Sequence, residues 1–125
     1  MNKKEDNFKE KFKQALVSTA KVISDDYLVD IKVKNKNLSS KNIDFFELDN
    51  LTNRNDFIRL RAETDSKALK KKFSNESIFK KNLPSSSSCK SLYTITEKIR
   101  YEKLGSKMLK GIDKNLRDNY IQMIN

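Results

Sequence analysis

Residues 92–125, LYTITEKIRYEKLGSKMLKGIDKNLRDNYIQMIN, decide the fold. Leu92, Ile95 and Ile99 open an apolar stripe at helical spacing. Tyr101, Leu104, Met108, Ile112, Leu116 and Tyr120 continue it with a rotation. Two glycines, Gly105 and Gly111, sit inside the pattern, each costing about 1 kcal/mol relative to alanine in a helix interior. That cost implies either close approach of another backbone or a bend between two helices. The closing residues 121–125 are still apolar, with Met123 and Ile124, which reads as a stop in mid-element or a face left to cover.

Upstream of this helix, Pro84 and the serines 85–88 form the one low-complexity stretch, which reads as a loop ending in an N-cap. Phe8, Phe12, Leu16, Ala20 and Ile23 mark a first amphipathic helix over residues 7–24. Asp6 or Asn7 is its expected cap, and Asp25-Asp26 its end. From Tyr27 the period changes to two, with Val29, Ile31 and Val33 on one side. Ile43, Phe45 and Glu47 alternate again after a polar stretch. An antiparallel pair lying on a helix is the economical arrangement, because a two-stranded ribbon is marginal alone.

Thr52, Asn53 or Asn55 is expected to cap a second helix carrying Phe57, Ile58, Leu60, Ala68, Leu69 and Phe73. Arg61 and Asp65 interrupt its stripe and read as an exposed charged edge before they read as a buried ion pair. One or two further turns follow, through Ile78, Phe79 and Leu83. The expected architecture is one mainly α (α+β) domain over residues 1–125. It has three principal helices and a small two-stranded antiparallel β-ribbon.

Composition narrows the chemistry. The chain of 125 residues has no His, one Cys and two Gly. Without His there is no Ser-His-Asp or Cys-His nucleophile pair and no His-ligated metal. The single thiol, Cys89, cannot form an internal disulfide, and without a His beside it reads as a half-buried packing residue. The two glycines supply neither a dinucleotide turn nor a phosphate loop. No apolar run approaches a membrane span of about 20 residues. No signal-peptide stretch follows Met1, so the cytoplasm is the default.

The net charge of +10 invites a nucleic-acid reading. The charge is mostly Lys, a well-hydrated ion suited to solvent-facing surfaces, whereas Arg is the residue of bidentate phosphate or base recognition. The cluster Lys70-Lys71-Lys72 with Lys80-Lys81 therefore reads as a solvated face or as a surface for an acidic partner. A basic helical nucleic-acid-binding module is the alternative reading. Asp25, Asp26 and Asp30 read as turn residues before they read as a cation site. Glu97, Arg100 and Glu102 on one helix suggest salt bridges rather than catalysis, with Glu97 and Tyr101, or Lys98 and Glu102, as the (i, i+4) neighbours.

One pattern is more specific than composition. Glu97, Arg100, Glu102, Leu104, Gly105, Gly111, Ile112, Asn115 and Leu116 read E-x-x-R-x-E-x-L-G-x-x-x-x-x-G-I-x-x-N-L. This resembles the signature in the N-terminal region of CobT, a subunit of the aerobic ATP-dependent cobaltochelatase of cobalamin synthesis. An opening F-K-x-A-L (Phe12, Lys13, Ala15, Leu16), a Val/Ile strand and an R-L-R helix (Arg59, Leu60, Arg61) line up in order with it.

The resemblance implies a complex in which a large subunit holds the corrin ring and an AAA+ subunit hydrolyses ATP. The T subunit pairs with the latter to drive cobalt into hydrogenobyrinic acid a,c-diamide. ATP, magnesium and cobalt would be used by the complex, with no catalytic, cofactor or metal residue in this chain. T subunits continue through an acidic linker into a von Willebrand A-type domain, whose D-x-S-x-S metal motif has no counterpart here. Where several relatives have His after R-L-R, this chain has Ala62, Glu63 and Thr64. The implied role is a non-catalytic segment that docks protein. Glu97, Arg100, Glu102, Gly105, Gly111 and Asn115 would form its interface or polar network, with homo-oligomerisation left open.

Overall fold

The computed structural model describes residues 3–27, 31–33, 43–45 and 53–125. Among the described residues five helices carry the fold: α1 (Lys3–Ser24), α2 (Arg54–Phe73), α3 (Glu76–Lys81), α4 (Ser87–Met108) and α5 (Lys110–Ile124). The expectation of three principal helices with an antiparallel ribbon is overturned. Among the described residues, extended backbone pairs only over three positions, Ile31–Val33 against Ile43–Phe45, and the pairing is parallel. A tight hairpin would need an Asn-Gly or Asp-Gly turn, and the intervening residues 34–42 contain no glycine. The remainder of both expected strands, residues 28–30 and 46–48, lies outside the described residues, as does Thr52.

Local signals fix the helix ends. Asn53 accepts the Asp56 amide at 3.0 Å while the Asp56 carboxylate accepts the Asn53 amide at 3.2 Å, a reciprocal capping box. Asn75 caps α3 and Ser86 caps α4 in the same sense, through the amides of Ile78 and Cys89. Helix α1 begins at Lys3, about a turn before the expected cap, and stops where Asp25 takes a φ of 56°. Aspartate tolerates that left-handed conformation better than most residues. The expected long last helix is two helices, broken at Leu109, whose φ of −138° and ψ of 126° are extended.

Helix α2 is the hub. The aromatic edges of Phe8 and Phe12 on α1 meet Phe57 with ring centroids 5.6 and 5.0 Å away. At the other end, Lys71 bridges to Asp26 at 3.2 Å. Between these contacts lie the buried residues Leu16, Ala20 and Ile23 of α1 and Leu60, Ala68 and Leu69 of α2. Helices α4 and α5 complete the core with Tyr101, Ile112 and Leu116. Thr64, fully buried on α2, turns its hydroxyl back onto the Leu60 carbonyl at 2.7 Å, which leaves no polar atom facing the apolar contact.

The two glycines behave differently. Gly105 is buried, and a Cβ built there would overlap the isobutyl group of Leu69. Helix α4 therefore approaches α2 as closely as a side-chain-free position allows. Gly111 is exposed, with no atom within 4 Å of where its Cβ would stand. Gly105→Ala is expected to destabilise the fold by roughly 1–3 kcal/mol through overpacking, against its helix-propensity gain. Gly111→Ala is expected to stabilise it by up to about 1 kcal/mol. Paired thermal melts check both signs, and a stabilising Gly105→Ala would refute the close contact.

Candidate functional site

The residues of the motif helix converge on one side of α2. Glu102, 6% exposed, accepts hydrogen bonds from the Ser66 hydroxyl and the Tyr120 hydroxyl, both at 2.6 Å. Lys98 adds an ion pair at 3.9 Å from one helical turn away. One carboxylate thus ties α2, α4 and α5 together. Charge-assisted bonds of this kind offset the cost of removing a carboxylate from water. Burial pushes the Tyr120 phenol well above its ordinary range, and its bond to Glu102 acts in the same direction.

Glu97 and Arg100 clasp the other end of the α2–α4 contact. The Arg100 guanidinium donates to both Glu97 carboxylate oxygens, at 2.9 and 2.7 Å. It also donates to the Phe73 carbonyl at 2.8 Å, satisfying a terminal acceptor of α2. Ser74 donates to Glu97 at 2.9 Å. The Arg100 hydrogen bonds hold the Glu97 carboxyl below its usual range, the Ser74 bond assisting against slight desolvation. The same bonds from Glu97 raise the Arg100 guanidinium.

Asn115 belongs to a separate contact, donating to Asp65 Oδ2 at 2.8 Å. The expected exposed edge on α2 is half corrected here: Arg61 is exposed, but Asp65 is 1% exposed. Its Oδ1 has no hydrogen-bond partner. Burial drives the Asp65 carboxyl up to about 6, against the lowering effects of Asn115 and of the Arg61 charge. Asp65 and Asn115 line a cleft of about 460 Å³ with Val22, Ile23 and Ile112, and Gly111 opens onto it. Periodicity ranked the exposed edge above a buried pair for Asp65 because a charged residue in a ragged stripe reads as surface. The only sequence cue was that α2 carries its apolar residues on more than one side.

Cys89 is exposed rather than half-buried, since it lies in the first turn of α4, beyond the packed part of that helix. Among the described residues no group of three or more His, Cys, Asp or Glu side chains is gathered to hold a metal ion. Asp30, the third member of the acidic cluster, lies outside the described residues. None of the described helices is long and apolar enough to cross a membrane.

Outward from these contacts, α4 leaves apolar side chains uncovered. Leu92, Ile95 and Ile99 are 67%, 55% and 61% exposed, and their spacing places them on one face. The carboxylates, guanidinium and hydroxyls described above are engaged in holding helices together, and a bare ridge runs along the outside. Such an arrangement defines a helical packing module. A family model described as "Cobalamin biosynthesis protein CobT" matches residues 6–125, and the chain belongs to that family, which is tied to cobalamin biosynthesis and cobaltochelatase. Neither a curated protein nor a solved structure matches it.

The Asp65 carboxyl gives a signed pH test. Between about pH 4 and 6 the folded chain keeps a proton that the unfolded chain has released. Its contribution is therefore present at low pH and lost as pH rises through the folded value, by on the order of 3 kcal/mol. Asp65→Asn keeps an acceptor for Asn115, and its melting temperature is expected to exceed that of the parent at pH 7.5. The variant should also show a shallower pH slope from 4 to 6. Identical slopes for parent and variant would refute the assignment.

Proposed function

We propose that this chain is a non-catalytic, protein-docking segment of a cobaltochelatase T subunit. Its partner is the AAA+ ATPase subunit, and the large corrin-holding subunit completes the complex that inserts cobalt into hydrogenobyrinic acid a,c-diamide. The observation that carries the reading is the uncovered ridge Leu92–Ile95–Ile99 on a helix that is anchored to its neighbours through the buried Tyr101, Glu102 and Gly105 and the Glu97–Arg100 pair. Membership of the CobT family supplies the complex in which such a surface has a use. ATP hydrolysis and its magnesium belong to the AAA+ partner in this reading, and cobalt is the cargo.

Glu97, Arg100, Glu102 and Gly105 act from beneath. They fix the pitch and depth of α4 on α2, so the ridge is presented as a rigid edge. Asn115 serves the contact of α5 with α2, and Gly111 makes no helix contact but opens onto the cleft beside it.

Co-purification of the chain with its cognate AAA+ subunit tests this. Association is expected at micromolar concentrations, and Ile99→Glu is expected to reduce it about tenfold or more, as a charge placed in a docking ridge should. Lys9→Glu on α1 is the matched charge control, expected to leave association unchanged. Absence of association with the parent chain would overturn the AAA+ subunit as its docking partner.

A further inference from the structure

Resting on that docking reading, we infer that the surface of α4 receives an acidic amphipathic helix, whose apolar stripe lies on Leu92, Ile95 and Ile99 and whose carboxylates meet Lys103 and Lys107. Helix α4 carries five basic residues, Lys90, Lys98, Arg100, Lys103 and Lys107, and two acidic ones, Glu97 and Glu102. Both acids are spent inward: Glu97 on Arg100 and Ser74, Glu102 on Ser66, Tyr120 and Lys98. Lys103 follows Ile99 by one turn, and Lys107 follows Lys103 by another, with the small rotation of a straight helix. Both lysines are exposed, and neither makes an ion pair among the described residues. The same face therefore passes from uncovered aliphatic carbon to uncompensated positive charge.

That sequence of chemistry selects the occupant. The apolar residues recur at i, i+3 and i+7, the spacing that a helix reads when it lies along another helix. The ridge is about one residue wide. A membrane-surface helix presents a broader apolar face and usually carries large aromatic residues there, and α4 places none in this ridge. A nucleic acid would neutralise the lysines but leave the aliphatic side chains against phosphate and sugar. An acidic helix covers both, and the rim charges fix its direction as well as its identity.

Two synthetic helical peptides of about 20 residues test the inference, sharing one leucine stripe and flanked either by Glu or by Lys. Fluorescence anisotropy with the full chain is expected to show micromolar binding of the Glu-flanked peptide and at least about tenfold weaker binding of the other. The double variant Lys103→Glu/Lys107→Glu should reverse that preference, while Ile99→Asp should weaken both peptides. Circular dichroism melts establish that each variant is folded, and Ile99→Ala provides a milder truncation should Ile99→Asp unfold.

Equal affinity for the two peptides, binding of neither, or indifference to the charge reversal would overturn the inference. So would tighter binding to phosphatidylglycerol vesicles, or to mixed-sequence RNA, that Ile99→Asp or Ile99→Ala abolishes. The AAA+ subunit is absent from this assay. Loss of peptide selectivity with co-purification intact overturns the acidic-helix chemistry alone, and the reverse result overturns the proposed partner alone.

Discussion

Everything in the bundle depends on how closely α4 can lie on α2. The contact between Gly105 and Leu69 sets that distance, and no residue with a side chain could occupy the glycine position without displacement. With α4 seated against the Leu69 side chain, Ser66 reaches Glu102, and Arg100 reaches the carbonyl at the end of α2. These bonds are short-range and directional, so they form only at one separation and one axial register. The glycine supplies the separation, and the hydrogen bonds supply the register.

A helix enclosed on several sides needs an interior composition that a surface helix avoids. Helix α2 meets this demand with small side chains, Ala62, Thr64, Ser66 and Ala68, and with polar groups whose partners come from neighbouring helices. Buried polar groups cost free energy unless they are hydrogen-bonded, and the cost is larger for a carboxylate. Glu102 meets the condition with three partners. Asp65 meets it with one oxygen and not with the other, and burial raises its carboxyl to about 6.

Where the pattern was strong, the sequence and the structure agree. The phenylalanines and aliphatics of α1, the Asn53 cap and the Ser86 cap all follow from local chemistry that needs no knowledge of the remainder of the chain. The helical break is different. Two glycines pointed to it, yet the interruption falls at Leu109, between them, and only packing determines which residue turns. Gly105 and Gly111 look alike in sequence, but one meets Leu69 and the other meets nothing. The ion pair Lys98–Glu102 was legible from (i, i+4) spacing, whereas Asn115–Asp65, fifty residues apart, was not. The parallel pairing of Ile31–Val33 with Ile43–Phe45 also escaped, because alternation reports that a segment is extended without reporting the direction of its neighbour.

The helices differ in how they are started. Asn53, Asn75 and Ser86 each give a side-chain oxygen to the first amides of α2, α3 and α4, but α5 follows Leu109, which has no such atom to give. A helix of fifteen residues without a cap is marginal by itself in water. It is held instead by Ile112 and Leu116 in the core and by Gln122 donating to the Asn55 carbonyl at the far end. Helix α5 consequently leans on its neighbours, and its amide protons should be guarded by the assembled bundle rather than by any strength of its own.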